Sequence, residues 1–162
     1  MPLELYRIDD RLVHGQVVVG WGQPLDVAFV VLVDDTIAAS EWEQELYRMG
    51  TPPEMIVTFE SVESAAAGLA GYQALPGAGI LLTGDIDTMQ RLVERAPSIT
   101  RVNLGGIHHR PGRAPRLRYI FLTPVEETAL RALAVRGVTI TAQDVPAATP
   151  VPLEQVLAGT GE

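Results

Sequence analysis

Between residues 26 and 33 the chain reads DVAFVVLV. A strand with one wet face alternates apolar and polar residues. A continuous apolar run rich in Val fits a strand covered on both faces. Such a strand needs helices above and below its sheet, and this narrows the fold more than any other feature. Residues 3–8, 55–59, 79–83, 101–104, 118–122 and 138–141 read as further strands. Helical stretches separate them. One covers 15–21 and is ended by Gly22 and Pro24, and another runs from Asp35 to Met49 before Gly50, Pro52 and Pro53 break it. A third follows Ser61 through an Ala-rich stretch, a fourth covers 85–95, and a short one lies at 153–157. Thr123, Pro124 and Glu126 supply a cap, a first-turn proline and the third residue of a capping box, and Gly137 suits the far end of that helix. Alternating strands and helices predict one three-layer α/β domain over residues 1–162, with a mostly parallel sheet flanked by helices on both faces.

Composition removes whole classes of chemistry. The 162 residues include no Cys and no Lys, and all 12 basic residues are Arg. Thiol nucleophiles, thiolate metal sites, Schiff bases and a P-loop lysine are therefore excluded. The net charge of −8 argues against nucleic acid as a partner, which needs a basic face to displace counterions. The first residues, MPLELYRIDDR, carry acids where a signal peptide carries an apolar core, and no apolar run approaches the roughly 20 residues that span a bilayer. A cytoplasmic protein is the expectation.

In open parallel sheets, ligands bind beyond the carboxyl ends of the strands. The first such loop lies in RIDDRLVHGQV, residues 7–17, and opens a candidate helix. A helix start offers unpaired N–H groups and a positive dipole end. Arg11 stands three residues before His14 and suits phosphate oxygens as a fork; Gly15 permits close backbone approach. Asp9 or Asp10 can orient the imidazole or hold Arg11. An imidazole nitrogen with an ordinary pKa of about 6.5 is a good nucleophile near neutrality. On residue types alone, a phosphoryl acceptor and a solvated loop held by a hydrogen-bond network are both open.

The string RIDDRLVHGQV, followed by Trp21, resembles the N-terminal signature of the IIB components of the mannose/fructose/sorbose family of the phosphoenolpyruvate-dependent sugar phosphotransferase system. The segment NLGGI at 103–107 is similar to that family's second recognisable stretch, a strand followed by a double glycine. The resemblance covers the whole chain. It implies that His14 accepts a phosphoryl group from a IIA phosphohistidine and passes it to a sugar bound by the IIC and IID membrane subunits. Arg11, Asp10 and Gly15 would then contact the phosphate. The activity implied is that of a protein-N(pi)-phosphohistidine–sugar phosphotransferase, peripheral to the inner membrane face through its partners. It needs no cofactor and no metal, and it allows a homo-oligomer. An alternative of a different class is a regulatory module that takes the same phosphate and reports it to another protein, without sugar transport.

Other features have plainer readings. His108 and His109 lack the further ligands a metal site requires. Together with Arg110 and Arg113 they form a basic loop that is either solvated or, if it lies beside the first loop, in contact with phosphate or an acidic IIA surface. Asp34, Asp35 and Asp85 read as helix caps rather than Mg²⁺ ligands. Trp21 and Trp42 read as core or interface residues.

Overall fold

The computed structural model describes residues 3–12 and 15–161, and of 15–19 the backbone alone. The expectation for His14 therefore lies outside the described residues. In chain order the elements are β1 (Leu3–Ile8), α1 (Gly15–Leu25), β2 (Val27–Val33), α2 (Asp35–Ala38), α3 (Glu41–Met49), β3 (Ile56–Glu60), α4 (Val62–Ala74), β4 (Ala78–Thr83), α5 (Ile86–Arg95), β5 (Arg101–Leu104), β6 (Ala114–Leu117), β7 (Ile120–Leu122), α6 (Pro124–Val135), β8 (Thr139–Ala142), β9 (Val151–Pro152) and α7 (Leu153–Leu157).

Among the described residues, seven strands form one sheet in the order β3-β2-β4-β1-β5-β8-β9. All pairings within it are parallel except the last, where β9 runs antiparallel to β8. The three-layer prediction therefore holds, and the run at 26–33 is the strand between β3 and β4. Its alternate side chains enter two separate cores. Phe29, Val31 and Val33 join Leu81 under α4, α5 and α6, whereas Val30 and Leu32 join Ile80, Leu82, Trp21 and Ile37 on the other face. Fully burying such side chains stabilises by about 1.5–3 kcal/mol each.

The second face is only partly covered. Arg101, Asn103 and Thr141 project there from β5 and β8 and line a cleft of about 170 Å³ instead of packing under a helix. These strands accordingly alternate, with Val102, Leu104, Ile140 and Ala142 buried in the first core.

Local expectations hold with four amendments. The helix expected at 15–21 continues to Leu25 with Pro24 inside it. A proline in the last turn removes only one hydrogen bond there, and the helix stops at Asp26, whose φ of 53° is left-handed. The helix expected from Asp35 to Met49 is two, because Ser40 caps the second through a bond from the Glu43 amide. Residues 107–115, expected as loop, run into β6, which pairs antiparallel with β7, inside the strand expected at 118–122, as a separate two-stranded sheet. The short edge strand β9 was not expected. Thr123 and Glu126 form the predicted capping box, and Gly137 follows the helix with φ of 97°.

The chain steps from β1 towards β2 but from β5 towards β8. The loops after these adjacent strands therefore diverge, and the crevice between them is the sheet's topological switch point.

Candidate functional site

The site begins with a charge in an unusual place. Arg7 is the penultimate residue of β1, points to the face that holds Trp21, and has no solvent exposure. A buried guanidinium needs partners for its donors. Its Nη2 donates to Asp9 Oδ2 at 3.1 Å and to the Asp144 carbonyl at 3.3 Å, and its Nη1 donates to the Gln143 carbonyl at 2.9 Å and to the Asn103 side-chain oxygen. The Trp21 ring lies 4.5 Å from its central carbon, and Trp21 Nε1 reaches the same Asp144 carbonyl at 3.4 Å. Burial lowers the Arg7 pKa, with the Asp9 charge and hydrogen bond opposing.

Asp9 is equally buried and extends the ladder, its amide donating to the Thr83 carbonyl at 2.9 Å. Its carboxylate takes the Arg11 fork, Nε to Oδ1 at 2.9 Å and Nη2 to Oδ2 at 2.7 Å, and the Arg11 amide donates to Oδ1 at 3.1 Å. Burial pushes the Asp9 carboxyl up, but the hydrogen bonds from Arg11 and the charges of Arg7 and Arg11 outweigh it and leave the pKa below the usual range. The same hydrogen bond raises the Arg11 pKa. One carboxylate thus ties a buried arginine to a second arginine, which reaches solvent at 20% side-chain exposure.

The double glycine is the floor of this network. A Cβ at 105 would overlap the Arg7 guanidinium and the Asp9 carboxylate, and one at 106 would lie 3.0 Å from His108 Cε1 and 3.3 Å from Arg11 Nε. Gly105 leaves no room for a Cβ and Gly106 fits tightly against two side-chain ends, and neither has an unusual backbone angle. Leu12 closes the described part of the loop with φ of 55°, a conformation costly for a residue with a side chain, and it packs over Gly84. Past the two undescribed residues Val13 and His14, α1 opens at Gly15 with no acidic residue in its first turn.

The loops after β1 and β5 are joined directly. The Gly105 amide donates to the Ile8 carbonyl at 2.7 Å, and the Asp10 amide to the Gly106 carbonyl at 2.8 Å. The Asp10 carboxylate grips His108 twice, at its backbone amide (2.7 Å) and at Nδ1 (2.6 Å). Between the two aspartates the roles are thus divided: Asp9 holds Arg11 and Asp10 holds a histidine from the other loop.

The remaining expected residues separate. Arg110 is exposed. Arg113 is turned inward, donating to Glu126 at 3.0 and 2.8 Å and to the His108 carbonyl at 2.7 Å, so it supports the loop from behind. Arg116 pairs with Glu127 at 2.9 Å in the same way, and the two pairs staple the β6–β7 hairpin to α6. His109 packs edge-on against Phe121 at 5.6 Å. Asp34 and Asp85 cap helices, and Asp35 accepts from the Val62 amide and pairs with Arg91. Trp21 is core, whereas Trp42 is 72% exposed. Among the described residues no three His, Asp or Glu cluster to hold a metal ion, and no helix is long and apolar enough to cross a membrane.

Residue-level reasoning missed Arg7, Asn103 and the backbone of Gln143 and Asp144. A signal existed for the first two: each is a polar residue inside a short strand whose neighbours are apolar, and such a residue demands a partner nearby.

The model of the PTS system sorbose subfamily IIB component matches residues 3–161. The chain is 30% identical over 140 residues to the sorbose-specific EIIB component of Klebsiella pneumoniae, covering 86% of this chain and 85% of that one. It is 32% identical over 148 residues to N-acetylgalactosamine-specific IIB component 1 of Escherichia coli, covering 88% and 90%. It is also 31% identical over 144 residues to the mannose-specific EIIAB component of Escherichia coli, covering 86% of this chain but 43% of that longer protein. The crystal structure of the IIB domain of the Klebsiella pneumoniae sorbose permease superimposes with a TM-score of 0.86 at 28% identity, covering 98% of both chains.

Proposed function

The chain belongs to the sorbose subfamily of IIB components of the sugar phosphotransferase system, and on that footing we propose that His14 carries the phosphoryl group between a IIA phosphohistidine and a sugar. The observation that carries this reading is the Asp9–Arg11 fork at the switch point, beside a helix start free of acidic residues. It sets a guanidinium, held by a buried carboxylate, beside the backbone amides of a helix start, where an anion can bind.

In the first step the His14 ring nitrogen attacks the phosphorus of the donor phosphohistidine. The donor N–P bond breaks as the new one forms, and the group passes between nitrogens of similar basicity. In the second step a sugar hydroxyl displaces His14. Phosphoryl transfer gains mainly from positioning and from charge on the equatorial oxygens, so Arg11, the α1 amides from Gly15 onward and the Asp10-ordered loop suffice without a metal. The donor is a IIA domain, a reading supported by the mannose EIIAB relative, whose name joins the two components. IIC and IID subunits present the sugar and bring the protein to the membrane. Relatives named for sorbose, N-acetylgalactosamine, mannose and fructose support a sugar acceptor.

The test is incubation with phosphorylated IIA followed by mapping of the label. The reading expects it on His14 and its loss in His14→Ala; label retained by that variant refutes it.

A further inference from the structure

His108 is built into the site more firmly than a solvated loop residue needs. Its backbone amide and ring are both held by Asp10, and its carbonyl by Arg113, itself fixed on Glu126. The ring remains accessible, with 57% side-chain exposure. A carboxylate accepts hydrogen bonds and does not donate. The 2.6 Å contact therefore places a proton on Nδ1, and in the neutral ring the lone pair is then on Nε2. The ring stands beside Arg11 over Gly106: a Cβ there would touch both His108 Cε1 and Arg11 Nε. His14 follows Arg11 by three residues, a tether of at most about 11 Å.

We infer that His108, oriented by Asp10, takes the proton of the acceptor hydroxyl when the phosphoryl group leaves His14. The inference rests on His14 as the carrier. The hydroxyl oxygen forms the new O–P bond, and the N–P electron pair returns to His14, which departs as neutral imidazole when its other nitrogen holds a proton. The hydroxyl proton goes to His108 Nε2. The resulting imidazolium is balanced by Asp10 and sheds the proton to solvent. The first step, from nitrogen to nitrogen, releases no hydroxyl proton and makes no use of this base. Asp10 is a positioning residue.

Two measurements test this. Nitrogen-15 NMR of the histidine rings is expected to show His108 with Nδ1 protonated and Nε2 bare in the wild type, and a mixture of tautomers in Asp10→Ala. An Nε2-protonated wild-type ring overturns the inference. In the second, protein charged from phosphorylated IIA is discharged with membrane vesicles carrying IIC and IID subunits, with mannose, sorbose and N-acetylgalactosamine supplied in parallel. His108→Ala and His108→Gln are expected to slow discharge at least tenfold more than they slow charging. Equal slowing of both steps, or wild-type discharge by His108→Gln, which can donate to phosphate but cannot take a proton, overturns it. If none of the sugars discharges the wild-type protein, the NMR result decides. Failure of the carrier reading looks different, since the label would then lie elsewhere than His14.

Discussion

Arg7 and Asp9 form an ion pair with 3.1 Å between Nη2 and Oδ2, and neither side chain reaches solvent. Replacing such a pair by apolar residues is often neutral, but removing one member strands the other charge. Asp9→Asn is expected to lower stability at pH 7 by about 3–5 kcal/mol, read from urea unfolding. It should also weaken phosphoryl transfer, because Arg11 loses its anchor.

The same carboxylate sets an acid limit. Its folded-state pKa is depressed. Its stabilising contribution is therefore fully present above the unfolded-state value, about 3.9, and is lost as the pH falls through the lower folded-state value. Unfolding free energy measured from pH 6 downward should drop in that acid window, and Asp9→Asn should flatten the drop while lying lower at neutral pH. Parallel curves for the two proteins would count against the assignment.

Gly105→Ala drives a methyl group into the Arg7 and Asp9 side chains, which have no room to give. Overpacking of this kind costs about 1–3 kcal/mol, and a lowered Tm by calorimetry is the expected result. Gly71→Ala, where a Cβ meets nothing within 4 Å, is the control and should hold or raise the Tm.

Arg110 and Arg113 sit three residues apart and should respond differently. Arg113→Ala removes the brace behind His108 and a largely buried pair with Glu126, so it should cost about 1–3 kcal/mol and slow transfer. Arg110→Ala should leave the unfolding free energy within about 0.5 kcal/mol of wild type and slow transfer from IIA only by weakening encounter, an effect that fades at high salt. A salt-independent defect in Arg110→Ala would contradict that surface role.

The frame of the fold was legible because β2 and β4 are hydrophobic on both sides and capped helices follow them, signals that lie within a few residues of chain. β9 was not, since two residues carry no period. β7 lies within the strand expected at 118–122, but its partner β6 hid because Pro115 and the nearby arginines look like loop, while the glutamates that hold Arg113 and Arg116 lie on α6. Within the site, the motif singled out Arg11, whereas contact between the two loops was one of two readings left open. The choice between Asp9 and Asp10 was not legible. It depends on which carboxylate continues β1 inward and which turns towards β5, a matter of strand pleat that adjacent identical residues cannot reveal. Arg7 in its strand signalled a need for partners but not which ones, because three of them, Asn103, Gln143 and Asp144, lie 96 to 137 residues away.

That distance has a consequence for how the protein matures. The anchor of the first loop needs carbonyl groups at 143 and 144, which are made 136 and 137 residues after Arg7. A growing or truncated chain that stops before 143 has β1 and its loop but lacks the carbonyls that hold Arg7, and so presents Asp9 and Arg11 on an unsecured base. The loop is therefore secured only when the chain has been made through the residues that follow β8, so its geometry depends on completion of the sheet.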